Sequence, residues 1–304
     1  MESLRHNRRR GAALMLSLWA LFLLSAMVIS WALNIDARLI MSAQANRNLE
    51  ALALACSGAE VAMSPNAKPG SPALIGEFGR DKRYEARITG EGGRLNIKWL
   101  IALPENPARL EILRRYLEIK GVELNERDQM IDTLLDWVDP DNLVRLNGAE
   151  DEAGYKAANR MITNLEELKK IKGWEEFTSA KDWDADLTLS SGGPNGSPID
   201  IAWASRDVLM SLPGASEDRV DQYLSMRSGP DEIDGTEDDP FTGANQAQAF
   251  AILGIPPEQL AGLAVIGTDQ VMRVVSVGKS GDVTRTVRAV FQKGGNQLKS
   301  WKEL

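Results

Sequence analysis

Downstream of residue 6 the chain contains no histidine, and Cys56 is its one cysteine. The body of the protein therefore holds no Ser-His-Asp triad, no Cys-His pair and no His-ligated zinc, and no intrachain disulfide can form. Aromatic residues make up only 6%. That argues against a glycosidase, whose carboxylate pair works in a cleft lined by aromatic rings. No P-loop is present. Charge is absent between Gly11 and Ile35, and beyond them acidic residues outnumber Lys and Arg. The net charge is −8; Arg5, Arg8, Arg9 and Arg10 against Glu2 give the first eleven residues +3, which leaves −11 for the rest. A body this acidic offers few of the Lys and Arg contacts on which binding to a phosphate backbone depends.

What the sequence does have is uneven hydrophobicity. The 304 residues give room for one or two domains. Residues 12–33 are apolar or weakly polar throughout, and about 20 such residues cross a bilayer core as a helix. Four arginines precede the run, while only Asp36 and Arg38 follow it closely, so the positive-inside rule places the N-terminus in the cytoplasm and the bulk outside. Three readings compete. The run is longer than the h-region of a secretory signal, and no A-x-A pattern closes it. A plain signal anchor fits the composition. A prepilin-type leader also accounts for Gly11, which sits between the arginines and the apolar run. Helical periodicity continues through Leu39, Ala43, Leu49, Leu52, Cys56, Ala59 and Met63, and the first stop is Pro65. The spacing predicts one helix over 12–63, on the order of 78 Å long, apolar all round in its first half and amphipathic in its second. Cys56 reads as a small packing residue of that helix.

Further along, residues 84–101 alternate around Gly90-Glu91-Gly92-Gly93, which predicts a hairpin turning there. Residues 271–277 and 283–291 flank Gly-Lys-Ser-Gly-Asp and predict a second. Helical patterns lie between, with Asn125, Ser205 and Ser216 as expected caps and Gly121, Gly173 and Gly254 as expected stops. Residues 190–198 read as a loop. The expected fold is α+β: the long helix packed on a small antiparallel sheet, with a large helical insertion over about 105–262.

Two acidic clusters are candidate metal sites. One comprises Asp136, Asp139 and Asp141 with Glu150, Asp151 and Glu152; the other is Asp231, Glu232, Asp234, Glu237, Asp238 and Asp239. Oxygen ligands in short loops with Gly and Asn suit calcium, although neither run has EF-hand spacing. Composition leaves a solvated acidic loop equally open. The second run has no basic residue between Ser228 and Phe241, so its mutual repulsion would be relieved by a divalent cation. LMSLPGASEDRV and LKKIKGWEEF look like helix-hairpin-helix elements, which would use turn N–H groups on phosphate. Ser216-Glu217-Asp218 and Glu175-Glu176 follow those turns and would repel it, which favours helix pairs packed through Leu212, Val220 and Leu224.

RRRGAALMLSLWALFLL followed by NLEALALACSGAEVA resembles the start of type IV pilin-like proteins and, more narrowly, the K-type minor pseudopilins of type II secretion (general secretion pathway protein K). LLDWVDPDN, GAEDE, NLEELKKIKGW, SRDVLMSLPGASEDRVDQYLSMR and the closing valine-rich strands extend the resemblance over nearly the whole chain. It implies a prepilin leader at 1–11, removed by prepilin peptidase between Gly11 and Ala12, with methylation of the Ala12 amine. It further implies a membrane half (12–33) and a periplasmic half (34–63) of the first helix, a pilin-like α/β core at 64–104 and 263–304, and an inserted α-domain at 105–262. Most pilin-like subunits carry Glu at the fifth mature position; here it is Leu16, and K-type subunits share that departure. The resemblance implies a non-enzymatic subunit of the periplasmic pseudopilus, anchored in the bacterial inner membrane. Its partners would be the I- and J-type minor pseudopilins, the major pseudopilin and the inner-membrane assembly platform. Calcium would be held in the α-domain by some of Asp136, Asp139, Asp141, Glu150, Asp151, Asp231, Asp234, Asp238 and Asp239. The alternative from a second class is a pilin-like competence protein that binds DNA.

Overall fold

A computed structural model describes residues 2–304 apart from 153, 194, 237, 242–244, 268–269 and 295–296, with side chains from residue 14 onward. Helix α1 runs unbroken from Glu2 to Met63 and stops before Pro65, which cannot continue the hydrogen-bond ladder. The expected single helix is thus found. Its apolar half is uncovered. Its other end is held by a stripe of small residues: Ala51, Ala55, Ala59 and Ala62 are almost fully buried and recur at helical spacing. Small side chains let a sheet come close. A methyl group on Gly278 would strike the backbone of Ala51 and Ala55, and one on Gly58 would strike Ser276 and Tyr84.

Strand β1 (Ile75–Glu77) pairs with β2 (Lys82–Gly90), after which the chain leaves the sheet. This corrects the hairpin expected around Gly90–Gly93: the chain turns at 78–81, where Phe78 N–H donates to Lys82 O at 2.7 Å. The glycines serve a junction instead. Gly90 and Gly93 lie so close to Trp203 that a Cβ at either would clash with it, and Glu91 between them is 1% exposed.

The helical region follows. Two-residue β3 (Leu95–Asn96) leads into α2 (Ile97–Leu100), α3 (Pro107–Ile119) and α4 (Leu124–Val138). Asn106 caps α3 through Ala108 N–H. Asn125, expected as the cap of α4, lies inside it, and Glu123 holds the N-cap position. Then come α5 (Glu175–Ser179), β4 (Leu187–Thr188) parallel to β3, and β5 (Ile199–Asp200). The last helices are α6 (Arg206–Met210), capped by Ser205 as expected, α7 (Glu217–Arg227), α8 (Gln246–Leu253) and α9 (Pro257–Leu260). Ser216 stands at the N-cap of α7 without a side-chain cap bond. Gly121, Gly173 and Gly254 all have positive φ, as the expected stops require. Strand β6 (Ala264–Val265) pairs with β5 and closes the region.

One apolar core joins these elements from Leu95 to Ile266, around fully buried Trp174, Tyr116 and Tyr223. The packed helical unit therefore begins at Leu95 rather than at 105. The chain then returns to the sheet as β7 (Val271–Ser280), β8 (Val283–Gln292) and β9 (Gln297–Glu303). The second expected hairpin is β7–β8, turning at Gly281 and Asp282. The sheet order is β1-β2-β7-β8-β9, antiparallel throughout. A second, smaller core of Ala55, Ala59, Ile88, Val274, Val287 and Phe291 lies between this sheet and α1.

Candidate functional site

Three regions carry the expected site residues. In the stem, Leu16 is 71% exposed, and Trp19 and Trp31 are similarly open. A window within Leu14–Met63 is long and apolar enough to cross a membrane and has none of its surface covered by the rest of the chain. Gly11 and Ala12 lie in α1, but their side chains are outside the described residues.

The first acidic cluster forms at the end of α4. Asp136 is fully buried, Asp139 is 6% exposed and Glu150 is 3% exposed. A cation already sits among them. Arg145 Nη1 donates to Asp136 Oδ1 at 2.6 Å and also to Asp139, while its Nη2 reaches Glu105 at 2.6 Å. The loop is shaped to deliver it: Arg145 N–H donates to Asp136 Oδ2 at 3.2 Å, and Asn147 N–H to Asp132. Gly148 passes where any Cβ would overlap the Asp136 carboxylate. Glu150 is left out, since both of its carboxylate oxygens are buried with no hydrogen-bond partner. Burial, reinforced by the charges of Asp136 and Asp139, pushes its carboxyl above the usual range. Asp141 and Asp151 are exposed; Asp141 accepts from Leu143 N–H, and Glu152 pairs with Lys172. Sequence reasoning missed Arg145. Its signal is that it is the one basic residue between Asp136 and Glu152.

In the second cluster, Asp231, Asp238 and Asp239 each place a carboxylate oxygen within 4.8 Å of the others. Asp234 is not with them: Arg227 holds it with two bonds of 2.9 and 2.7 Å. Arg227 is itself buried and also donates to Ile201 O and Ala204 O. The turn is drawn together by Asp231 N–H on Asp238 Oδ2, Thr236 Oγ1 on Asp238 Oδ1 and Gly235 N–H on Asp239 Oδ2. The Thr236 bond lowers the Asp238 carboxyl below its ordinary value, while burial raises that of Asp239. An oxygen-only donor set with no basic side chain inside it among the described residues suits a hard divalent ion. Glu237 falls outside the described residues.

The second cluster also touches the junction between the two cores. The Trp203 ring packs between Gly90 and Gly235. Below it, Arg273 of β7 donates to both carboxylate oxygens of Glu91 at 2.7 and 2.8 Å, and Thr188 Oγ1 adds a bond of 2.5 Å. The Glu91–Arg273 pair was not anticipated from sequence, because the two residues lie far apart in the chain.

The comparisons with known proteins agree with this architecture. The family "Type II secretion system (T2SS), protein K" matches residues 93–181, which begin at the Gly93 junction described above. An Escherichia coli (strain K12) relative, provisionally named type II secretion system protein K, is 27% identical over 199 residues, 56% of this chain and 60% of its own length. The type II secretion system protein K of Pectobacterium carotovorum is 29% identical over 77 residues, 23% of this chain and 24% of its own length. The aligned stretches thus span less than two thirds of either relative. A chain in the crystal structure of the GspK-GspI-GspJ complex from the enterotoxigenic Escherichia coli type 2 secretion system shares the fold, with a TM-score of 0.55 at 12% identity over 89% of this chain and 99% of that one. Residues 93–181 thus match a domain of type II secretion system protein K, and the chain as a whole is similar to proteins of that name and shares the fold of a chain in the GspK-GspI-GspJ complex.

Proposed function

We propose that the chain is a non-enzymatic structural subunit that forms or caps the tip of a type II secretion pseudopilus and so supports export of folded proteins from the periplasm. The observation that carries this reading is α1: one unbroken helix whose apolar segment from Leu14 to Leu33 is uncovered and whose end from Arg47 to Met63 packs on the sheet of a folded head. The positive N-terminus stays in the cytoplasm and the head lies in the periplasm. Prepilin peptidase removes residues 1–11, and the Ala12 amine is methylated. In a filament of pilin-like subunits, a glutamate at the fifth mature position pairs with a neighbour's amine. Such a carboxylate is costly in a bilayer unless paired. With Leu16 there, this subunit satisfies no amine beyond its own, so it ends a stack. I- and J-type minor pseudopilins are its partners, by analogy with the GspK-GspI-GspJ complex whose chain shares its fold, and the major pseudopilin and the assembly platform lie below. Calcium is held at Asp231, Asp238 and Asp239, which converge without a basic side chain among them in the described residues.

A DNA-binding role is disfavoured by the hairpin turn at Gly173, whose N–H is taken by Glu175 Oε2 at 2.8 Å. Mass spectrometry of protein from native membranes tests the main reading. An N-methylated Ala12 start is expected, lost when the peptidase is deleted; a retained arginine-rich start overturns it. Leu16→Glu is expected to relax tip placement, seen as this subunit cross-linking along the filament rather than at its end.

A further inference from the structure

The α3–α4 turn and the segment around α5 enclose an open groove of about 600 Å3, within the range of built ligand pockets. Its floor is apolar: Val122, Met130 and Phe177. Its rim carries Glu126, Glu175 and Glu176, all exposed and none with an ion-pair partner among the described residues. The cation at its edge, Lys120, is engaged elsewhere, with Asp186 at 3.0 Å and Asp207 at 2.5 Å. The walls are fixed to each other before anything binds: buried Trp174 Nε1 donates to Met130 O at 2.8 Å, and Thr133 Oγ1 to Lys172 O at 2.9 Å. The Gly173 turn that could have offered its N–H to an anion is closed by Glu175.

We infer that this groove is a docking site for a protein segment in which an apolar side chain is flanked by Lys or Arg. The apolar floor takes the anchor, and the three rim carboxylates, of which Glu175 also accepts from Gly173 N–H, take the cations on either side. This complementarity gives orientation and rate as well as affinity, and the −11 charge of the chain beyond its leader attracts such a segment from a distance. The same charges disfavour nucleic acid and anionic lipid. The inference goes beyond the filament reading and is independent of it, since it concerns the isolated subunit.

The test uses the full chain in phosphatidylcholine nanodiscs and fluorescence anisotropy of a fluorescein-labelled Lys-Lys-Leu-Phe-Lys-Lys peptide, with empty discs subtracted. Saturable, salt-sensitive binding is expected. The E126Q/E175Q/E176Q variant is expected to weaken it by about 10-fold or more, as is replacing the peptide's lysines with glutamates. The control variant E217Q/D218N, on α7, is expected to bind as wild type. No saturable binding, equal binding by the triple variant, or equal binding of the Glu peptide overturns the proposal.

Discussion

The two acidic clusters have similar composition and opposite internal chemistry. At the end of α4 the chain supplies its own cation, Arg145, to Asp136, Asp139 and Glu105. In the turn after α7, Arg227 takes Asp234 aside, and Asp231, Asp238 and Asp239 face one another without a counter-charge among the described residues. The difference lies in where one arginine reaches. Arg145 belongs to the acidic loop itself, so its backbone carries it back onto its own carboxylates. Arg227 lies at the end of a helix and is pinned to Ile201 O and Ala204 O, so it can reach only the nearest acid. An acidic run therefore indicates a metal site only once the arginines beside it have been assigned.

Removing the internal cation is the harshest way to break this contrast. Arg145→Met leaves Asp136 and Asp139 buried and uncompensated, and loss of one partner of a buried ion pair costs about 3–5 kcal/mol. Thermal unfolding in EDTA should fall by ~10 °C. The variant should also gain more from calcium than wild type, because its first cluster then resembles the second. An unchanged Tm would mean that Arg145 is not what holds the loop.

A smaller effect is expected from the ion itself. A ligand that binds only the folded state stabilises by about 2.7 kcal/mol at 100 times its Kd. Calcium should raise the Tm of wild type, and D231N/D238N/D239N should abolish the gain while D141N/D151N leaves it intact. The reverse pattern would move the ion to the first cluster.

How far the sequence could anticipate this structure depended on the reach of each interaction. Helix α1 was legible to its last turn, because the period that predicts it is local and runs without a breaker to Met63. The β7–β8 hairpin was legible for the same reason, its pairing being set by the turn at Gly281 and Asp282. The glycines at 90–93 look like a hairpin tip but serve a junction with Trp203 and Arg273, the latter bonded to Glu91 across 182 residues. No local pattern encodes that. The same limit applies to the acids. Carboxylate density was visible, whereas the arginine that neutralises one cluster and the one that thins the other required the fold.

Glu150 offers the finest probe of the contrast, because it belongs to the neutralised cluster and yet is left without a partner. Its folded pKa is raised above the ordinary 4.5 by burial first and then by Asp136 and Asp139. Its contribution to stability is therefore fully present below the unfolded pKa and is lost as pH rises through the folded value. Glu150→Gln keeps the shape, carries no charge and brings an N–H2 that can donate to those same carboxylates. In EDTA the variant and wild type should melt together near pH 4. As pH rises above the ordinary carboxylate range the variant should become the more stable by about 1 kcal/mol, the scale of a buried polar group without a partner, and the gap should then stay level. A gap that does not change with pH would mean that the carboxyl is not burdened by its charge. A variant less stable than wild type at neutral pH, with the metal removed, would mean that Arg145 serves Glu150 as well, and that the first cluster is balanced to its last member.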